Sequence, residues 1–391
     1  MNLNRFLKFI GASALAVCSI IGSSGVTVSA EENSYTPVAG GSVDFKKYLV
    51  VDSEATVPTT SFSFTIEPGT AIPASEGKTA VYAGIGNPTI ASVNFTQSDS
   101  KYDTVQDGDI LTLKDGKSYA KKMTSIVLTG VNFPEPGIYR YKISETTSTP
   151  SIITMDDATN RYLDVFVVDN NGVLEVSSYV LHKSADDIPA GSEMGTAGTP
   201  IADKSDGFVN EYLSKDLEFG KEVTGNQGSK DKYFDFTLTI TGAQASSNYT
   251  VDISKADATS GTNAATIDAN SNKQNPTTVT TDANGSVTVH YYLADGQYVK
   301  VLGLPKGATY SVTENAEDYK STQGITAEVS GGDAHTDAVS GTIADADIST
   351  GYTNTRNGVI PTGVALSVMG GAVLLAIGAA GLILSKRKRT F

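Results

Sequence analysis

The 391-residue sequence has one cysteine and no tryptophan. Cys18 lies in an apolar run near the start, so a chain trimmed of that run can form neither a disulfide nor a thiolate metal site. Histidine is nearly as scarce: His182, His290 and His335 are scattered and give a catalytic triad little to build on. Basic residues are also short, 29 Lys and Arg against 43 Asp and Glu, for a net charge of −14. That balance excludes a nucleic-acid binder, which needs a basic face. Arg5, Lys8, Lys386, Arg387, Lys388 and Arg389 occupy the two ends; without them 23 basic residues face 43 acidic ones, a formal −20. No phosphate loop or dinucleotide fingerprint occurs. Asp268-Ala269-Asn270-Ser271-Asn272-Lys273 begins like a calcium loop but lacks its later Gly and Glu. No cofactor or metal is expected.

The ends give the chain its address. Arg5 and Lys8 precede an apolar stretch from Phe9 to Gly22, and Val28-Ser29-Ala30 places small residues before Glu31. This is the pattern of a secretory signal peptide, residues 1–30, cut between Ala30 and Glu31. Leu15-Ala16-Val17-Cys18 approaches a lipoprotein signal, but Val17 stands where a small residue is wanted. At the other end, Val364 to Leu384 is 21 residues without a charge. As a helix it is about 31 Å long, enough to span a hydrocarbon core. The basic cluster behind it holds the terminus in the cytoplasm. Directly before the span stands Val359-Ile360-Pro361-Thr362-Gly363. Motif, span and tail, residues 358–391, resemble a Gram-positive cell-wall sorting signal. With proline third rather than second, the motif departs from the commonest pentapeptide, LPxTG, and is similar to signals read by pilus-specific class C sortases. The resemblance implies that Thr362–Gly363 is cut and the Thr362 carbonyl passes to an amine, leaving residues 31–362.

Between the ends, short alternating runs predict β-strands. Phe62, Phe64 and Ile66 alternate with Ser63 and Thr65, and Phe234, Phe236, Leu238 and Ile240 alternate with polar residues. Asp169-Asn170-Asn171-Gly172 and Asp282-Ala283-Asn284-Gly285 mark hairpin turns. The pattern repeats. Val43–Leu49 leads into Ser61–Ile66 as Leu217–Val223 leads into Tyr233–Leu238. Pro136–Glu145 parallels Lys306–Glu314, and the copies close on Phe208-Val209-Asn210 and Tyr352-Thr353-Asn354. Two β-sandwich domains are expected, residues 31–212 and 213–357.

Residues two apart in a strand share a face. Lys47 therefore lies with Val43, Phe45 and Leu49, and Lys221 with Leu217, Phe219 and Val223. Glu145 lies with Tyr141 and Ile143, Glu314 with Tyr310 and Val312. Asn210 and Asn354 likewise face inward. Lys and Glu are almost never fully buried unless paired, yet the same three residue types recur in the same order in both halves. An inward lysine can guard an edge strand, and a Lys–Glu pair can be a simple buried ion pair. The chemistry of the set suggests more. A desolvated lysine becomes a neutral nucleophile, a buried protonated Glu can donate to the Asn carbonyl and shuttle protons, and ammonia can leave. The expected product is a self-formed Lys–Asn isopeptide bond, one per domain, promoted by Glu145 and Glu314.

These features resemble the streptococcal pilin isopeptide linkage domains of Gram-positive major (backbone) pilins, over nearly the whole chain. The resemblance implies an all-β fold of two tandem immunoglobulin-like (collagen-adhesin-type) sandwiches, with bonds Lys47–Asn210 and Lys221–Asn354. Lys46 rivals Lys47, but strand parity puts it on the other face. It also implies a structural subunit rather than an enzyme, polymerised head-to-tail on the cell surface. Its partners would be a class C sortase, identical subunits, tip or minor pilins, a housekeeping sortase and the wall, with no nucleic acid. The acceptor motif YPKN of many shaft pilins is absent. In the streptococcal type the acceptor lysine precedes the closing Asn of the first domain; Lys204 fits that place, and Lys183 is the alternative. A wall-anchored monomeric adhesin shares the sorting signal but needs no acceptor lysine.

Overall fold

The β-branched and aromatic runs separated by Gly, Asn and Asp turns fold as short strands, and no helix occurs among the described residues of this computed structural model. Those residues are 35–74, 80–149, 151–185, 204–255, 266–268, 273–326 and 334–359. The expected signal peptide, its Ala30–Glu31 junction, Ile360 to Gly363 and the apolar span all lie outside them.

Residues up to 212 form two facing sheets. The strands that matter are β1 (Ser42–Asp52), β2 (Thr60–Pro68), β3 (Lys117–Val127), β4 (Gly137–Thr147), β5 (Ile153–Thr154), β6 (Asn160–Asn170), β7 (Val173–His182) and β8 (Gly207–Tyr212). One sheet runs β5-β8-β1-β3 and the other β7-β6-β4-β2, each with a further short edge strand. The turn between β6 and β7 has Asn171 and Gly172 at φ 58° and 86°, the left-handed pair a tight hairpin needs. Phe45 and Phe208 from the first sheet pack against Tyr141, Ile143, Leu163 and Val165 from the second.

The rest of the chain repeats the plan. β9 (Ser214–Thr224), β10 (Phe234–Thr241), β11 (Asn248–Lys255), β12 (Val287–Leu293), β13 (Gln297–Pro305), β14 (Thr309–Asn315), β15 (Lys320–Gln323) and β16 (Ile348–Thr355) make sheets β11-β13-β9-β16-β15 and β12-β10-β14 with short edge strands. Phe219, Phe236, Leu238, Val299 and Val312 fill the space between them. In each half the last long strand pairs parallel to the first: β8 with β1, β16 with β9. Only Leu213 separates β8 from β9. Across this join the Tyr212 hydroxyl donates to the Gly303 carbonyl at 3.2 Å and Ser214 Oγ donates to Asp52 at 2.8 Å.

β1 departs from the expected in-out alternation. Tyr48 and Val50 point away from the sandwich core yet are buried, because the segment between residues 96 and 116 lies over them and places Tyr102, Leu111 and Leu113 against them. A strand buried on both faces loses the alternation that marks a half-exposed one.

Candidate functional site

In β1 the inward side chains are Val43, Phe45, Lys47 and Leu49, so the lysine enters the core by the same parity that buries its apolar neighbours. Lys46 points the other way, to Asp109 at 2.7 Å and Asp206 at 3.3 Å. The two lysines are adjacent in sequence and on opposite sides of the sheet.

Lys47 is fully buried. Its Nζ lies 3.2 Å from Glu145 Oε1, at an ion-pair distance without a well-aligned hydrogen bond. It donates to the Tyr48 and Phe208 carbonyls at 3.0 and 3.3 Å and sits 4.4 Å from the centre of the Phe62 ring. Glu145 arrives from β4, opposite Phe64 of β2. Asn210 arrives from β8, and its Nδ2 donates to Glu145 Oε2 at 2.9 Å. The Asn210 carbonyl oxygen accepts from the backbone N–H of Asp156 at 2.9 Å.

The second half reproduces the arrangement. Lys221 Nζ lies 2.6 Å from Glu314 Oε1 and 4.5 Å from the Phe234 ring centre. Asn354 Nδ2 donates to the same carboxylate oxygen at 3.0 Å. Ser321 Oγ donates to Glu314 Oε2 at 3.1 Å, and the buried Asn354 Oδ1 has no hydrogen-bond donor among the described residues.

Loss of hydration dominates the electrostatics. Burial pulls Lys47 and Lys221 down to about 8 against the opposing pull of their glutamates. Burial also raises the Glu145 carboxyl, with Lys47 opposing. Lys46 goes the other way: its desolvation is outweighed by hydrogen bonds to Asp109 and Asp206, and it is raised. Lys47 and Lys221 thus reach the neutral, nucleophilic form near physiological pH, and Lys46 does not.

The geometry differs from expectation in one respect. The glutamates face the amide nitrogen rather than the carbonyl oxygen. In the first site a backbone N–H fixes this, since it can only donate and so must meet Oδ1. Glu145 is thus placed on the Asn210 nitrogen, and the Asn210 oxygen meets Asp156 instead. Asp156, Phe62 and Phe234 were not among the expected site residues. The two phenylalanines occupy matching places in the repeated segments, a signal present in the sequence; Asp156 lies in a loop with no counterpart in the repeat.

Lys204 is exposed at an isolated bridge to His182, three residues before β8, and Lys183 is exposed beside it. Val359 is 90% exposed at the end of the described chain. The five-residue sorting motif otherwise lies outside the described residues.

A family model described as Domain of unknown function (DUF7601) matches residues 215–356. A protein named Pilin from Streptococcus pyogenes serotype M1 is 29% identical over 344 residues, spanning 85% of this chain and 86% of that one. Among solved structures, the crystal structure of the major pilin from Streptococcus pyogenes superposes with a TM-score of 0.51 at 24% identity, covering 82% of this chain and all of that one. A mutant of that major pilin gives 0.50 at 23% identity.

Proposed function

We propose that this chain, a relative of the Gram-positive major pilins, is the repeating subunit of a covalently polymerised surface pilus. A class C sortase would cut Thr362–Gly363 and join the Thr362 carbonyl to Lys204 of the next subunit. The housekeeping sortase would attach the finished fibre to the wall, and tip or minor pilins would complete it. Within each subunit, Lys47 would bond to Asn210 and Lys221 to Asn354, one turnover per site, without a cofactor.

The observation that carries this reading is the placement of the two ends. β1 and β8 run parallel into the join at Leu213, and β9 and β16 run parallel away from it. Lys204 therefore lies on the far side of the first sandwich, and Val359 on the far side of the second. A donor and an acceptor at opposite ends make a heterologous contact that does not close on itself, which is the symmetry of a filament. The test is a cell-wall extract from bacteria that carry the sorting sortase. A high-mass ladder is expected, collapsing to a single band in Lys204→Ala and persisting in Lys183→Ala. A single band in the unaltered strain would instead favour a monomeric wall-anchored adhesin.

A further inference from the structure

The two internal sites are not equivalent, and the difference lies in the short strand beside each asparagine. Next to β8, β5 leads into a loop whose Asp156 N–H donates to Asn210 Oδ1. Next to β16, β15 pairs Ser321 with Asn354 and gives its hydroxyl to Glu314, leaving Asn354 Oδ1 without a donor.

Bond formation has two polar demands. As Lys Nζ attacks the amide carbon, negative charge gathers on Oδ1. Then the Cγ–Nδ2 bond breaks, and the proton lost by Nζ must reach Nδ2 so that ammonia leaves. Amine and primary amide are thereby converted to a secondary amide and ammonia, with no other reactant. In the first site the tasks are divided: Asp156 N–H meets the oxygen and Glu145 meets the nitrogen. In the second, Glu314 is the one group present for both among the described residues. Turning the Asn354 amide around would aim its oxygen at Glu314 and cost its nitrogen the acceptor it now has.

The Asp156 donor is itself built in. Its carboxylate accepts from Val209 N at 2.8 Å, from Ala158 N at 3.1 Å and from Arg161 Nη2 at 2.5 Å. Arg161 is fully buried, donates to the Gly207 carbonyl at 2.8 Å and lies 4.5 Å from the Phe208 ring centre. The loop is thus fastened to the strand that carries Asn210.

We propose that Asp156 N–H is the oxyanion donor of the first site, that Arg161 is its positioning residue, and that the Lys47–Asn210 bond therefore forms faster than the Lys221–Asn354 bond. This rests on the isopeptide reading above. Loss of one preorganised oxyanion donor slows acyl transfer on the order of 10²-fold, which sets the expected gap.

The test is a time course on the full chain made by cell-free translation with mild detergent. Protease resistance of each half dates its folding, and the two cross-linked peptides are quantified by mass spectrometry after acid quenching. Measured from folding, the first cross-link should lead by on the order of 10²-fold. Incorporating the α-hydroxy analogue of aspartate at position 156 replaces the N–H by an ester oxygen and leaves every side chain in place. It should slow the first cross-link by a similar factor and leave the second unchanged. Arg161→Met should also slow only the first. Equal rates in the unaltered chain, or an ester that leaves the first rate unchanged, would overturn the proposal. A folded chain that forms neither cross-link would overturn the isopeptide reading itself.

Discussion

Lys47 stands directly opposite Phe208 in the parallel pairing of β1 with β8, so Asn210, two residues on, projects from the same face one step beyond the lysine. Lys221 stands opposite Tyr352 in the same way, with Asn354 two residues on. The identical offset in two sandwiches makes lysine and asparagine neighbours by register, independent of the loops between them. Each site then needs only a glutamate from the facing sheet.

Intact mass distinguishes the two adjacent lysines. The secreted chain is expected to weigh roughly 34 Da less than its sequence, two ammonia molecules lost by condensation. Lys47→Ala should recover half of that deficit, and Lys46→Ala none, because Lys46 faces Asp109 and Asp206 outside the core. An undiminished mass in the unaltered protein would end the isopeptide reading.

Glu145→Ala should block the first bond and leave Lys47 buried without its ion-pair partner. By analogy with disulfides, a cross-link over so long a loop contributes roughly 5 kcal/mol. At 2–4 °C per kcal/mol for a unit of this size, the first transition in calorimetry should drop by about 10–20 °C. Glu314→Ala should move the second transition and leave the first in place. A common shift of both would contradict two separate cross-linked units.

The reaction should have a bell-shaped pH dependence. The productive Lys47–Glu145 pair holds one proton between its members. As pH rises through about 8, the lowered lysine value, the pair loses that proton and with it the acid for the departing ammonia. As pH falls through the raised Glu145 value, a second proton leaves an ammonium with no base. Refolding the denatured, unreacted chain across a pH series and counting the first cross-linked peptide should show the upper limb near 8. A rate that climbs steadily to pH 10 would show that the glutamate proton is not used.

Gly207→Ala tests the register. A Cβ there would come within 1.6 Å of the Lys46 carbonyl oxygen, a backbone atom that cannot swing aside. β8 must move away from β1 at its start, and Asn210 with it. The first cross-linked peptide should fall to a small fraction of normal while the second forms fully; normal yields of both would show that the strand pairing tolerates the shift.

Much of this was legible in the sequence, and for definable reasons. Strand parity alone separates Lys47 from Lys46, because a period of two leaves only two faces. The recurrence of Lys, Glu and Asn in both halves supplies the site. Parity did not reveal that Tyr48 and Val50 are buried on the outer side, since that depends on a covering segment some sixty residues away in the chain. Nor did it reveal Asp156, whose bond to Asn210 uses a backbone N–H that any residue but proline carries. The orientation of the Asn210 amide follows from that donor, so it could not be read before the loop was placed.

The parallel register of β9 and β16 has a mechanical meaning once subunits are joined through Lys204 and Thr362. On the proposed linkages, tension would enter at Lys204, follow the backbone through β8 to Lys221, cross the side-chain amide to Asn354 and leave at Thr362. That covalent line could stretch to roughly 95 Å and no further, because everything between residues 221 and 354 would be bypassed. The residues before Lys204 would hang beside the line and carry no pull. The proposed Lys47–Asn210 bond would then have a different duty from its twin: it would keep the one loaded strand of the first sandwich from being drawn out of its sheet.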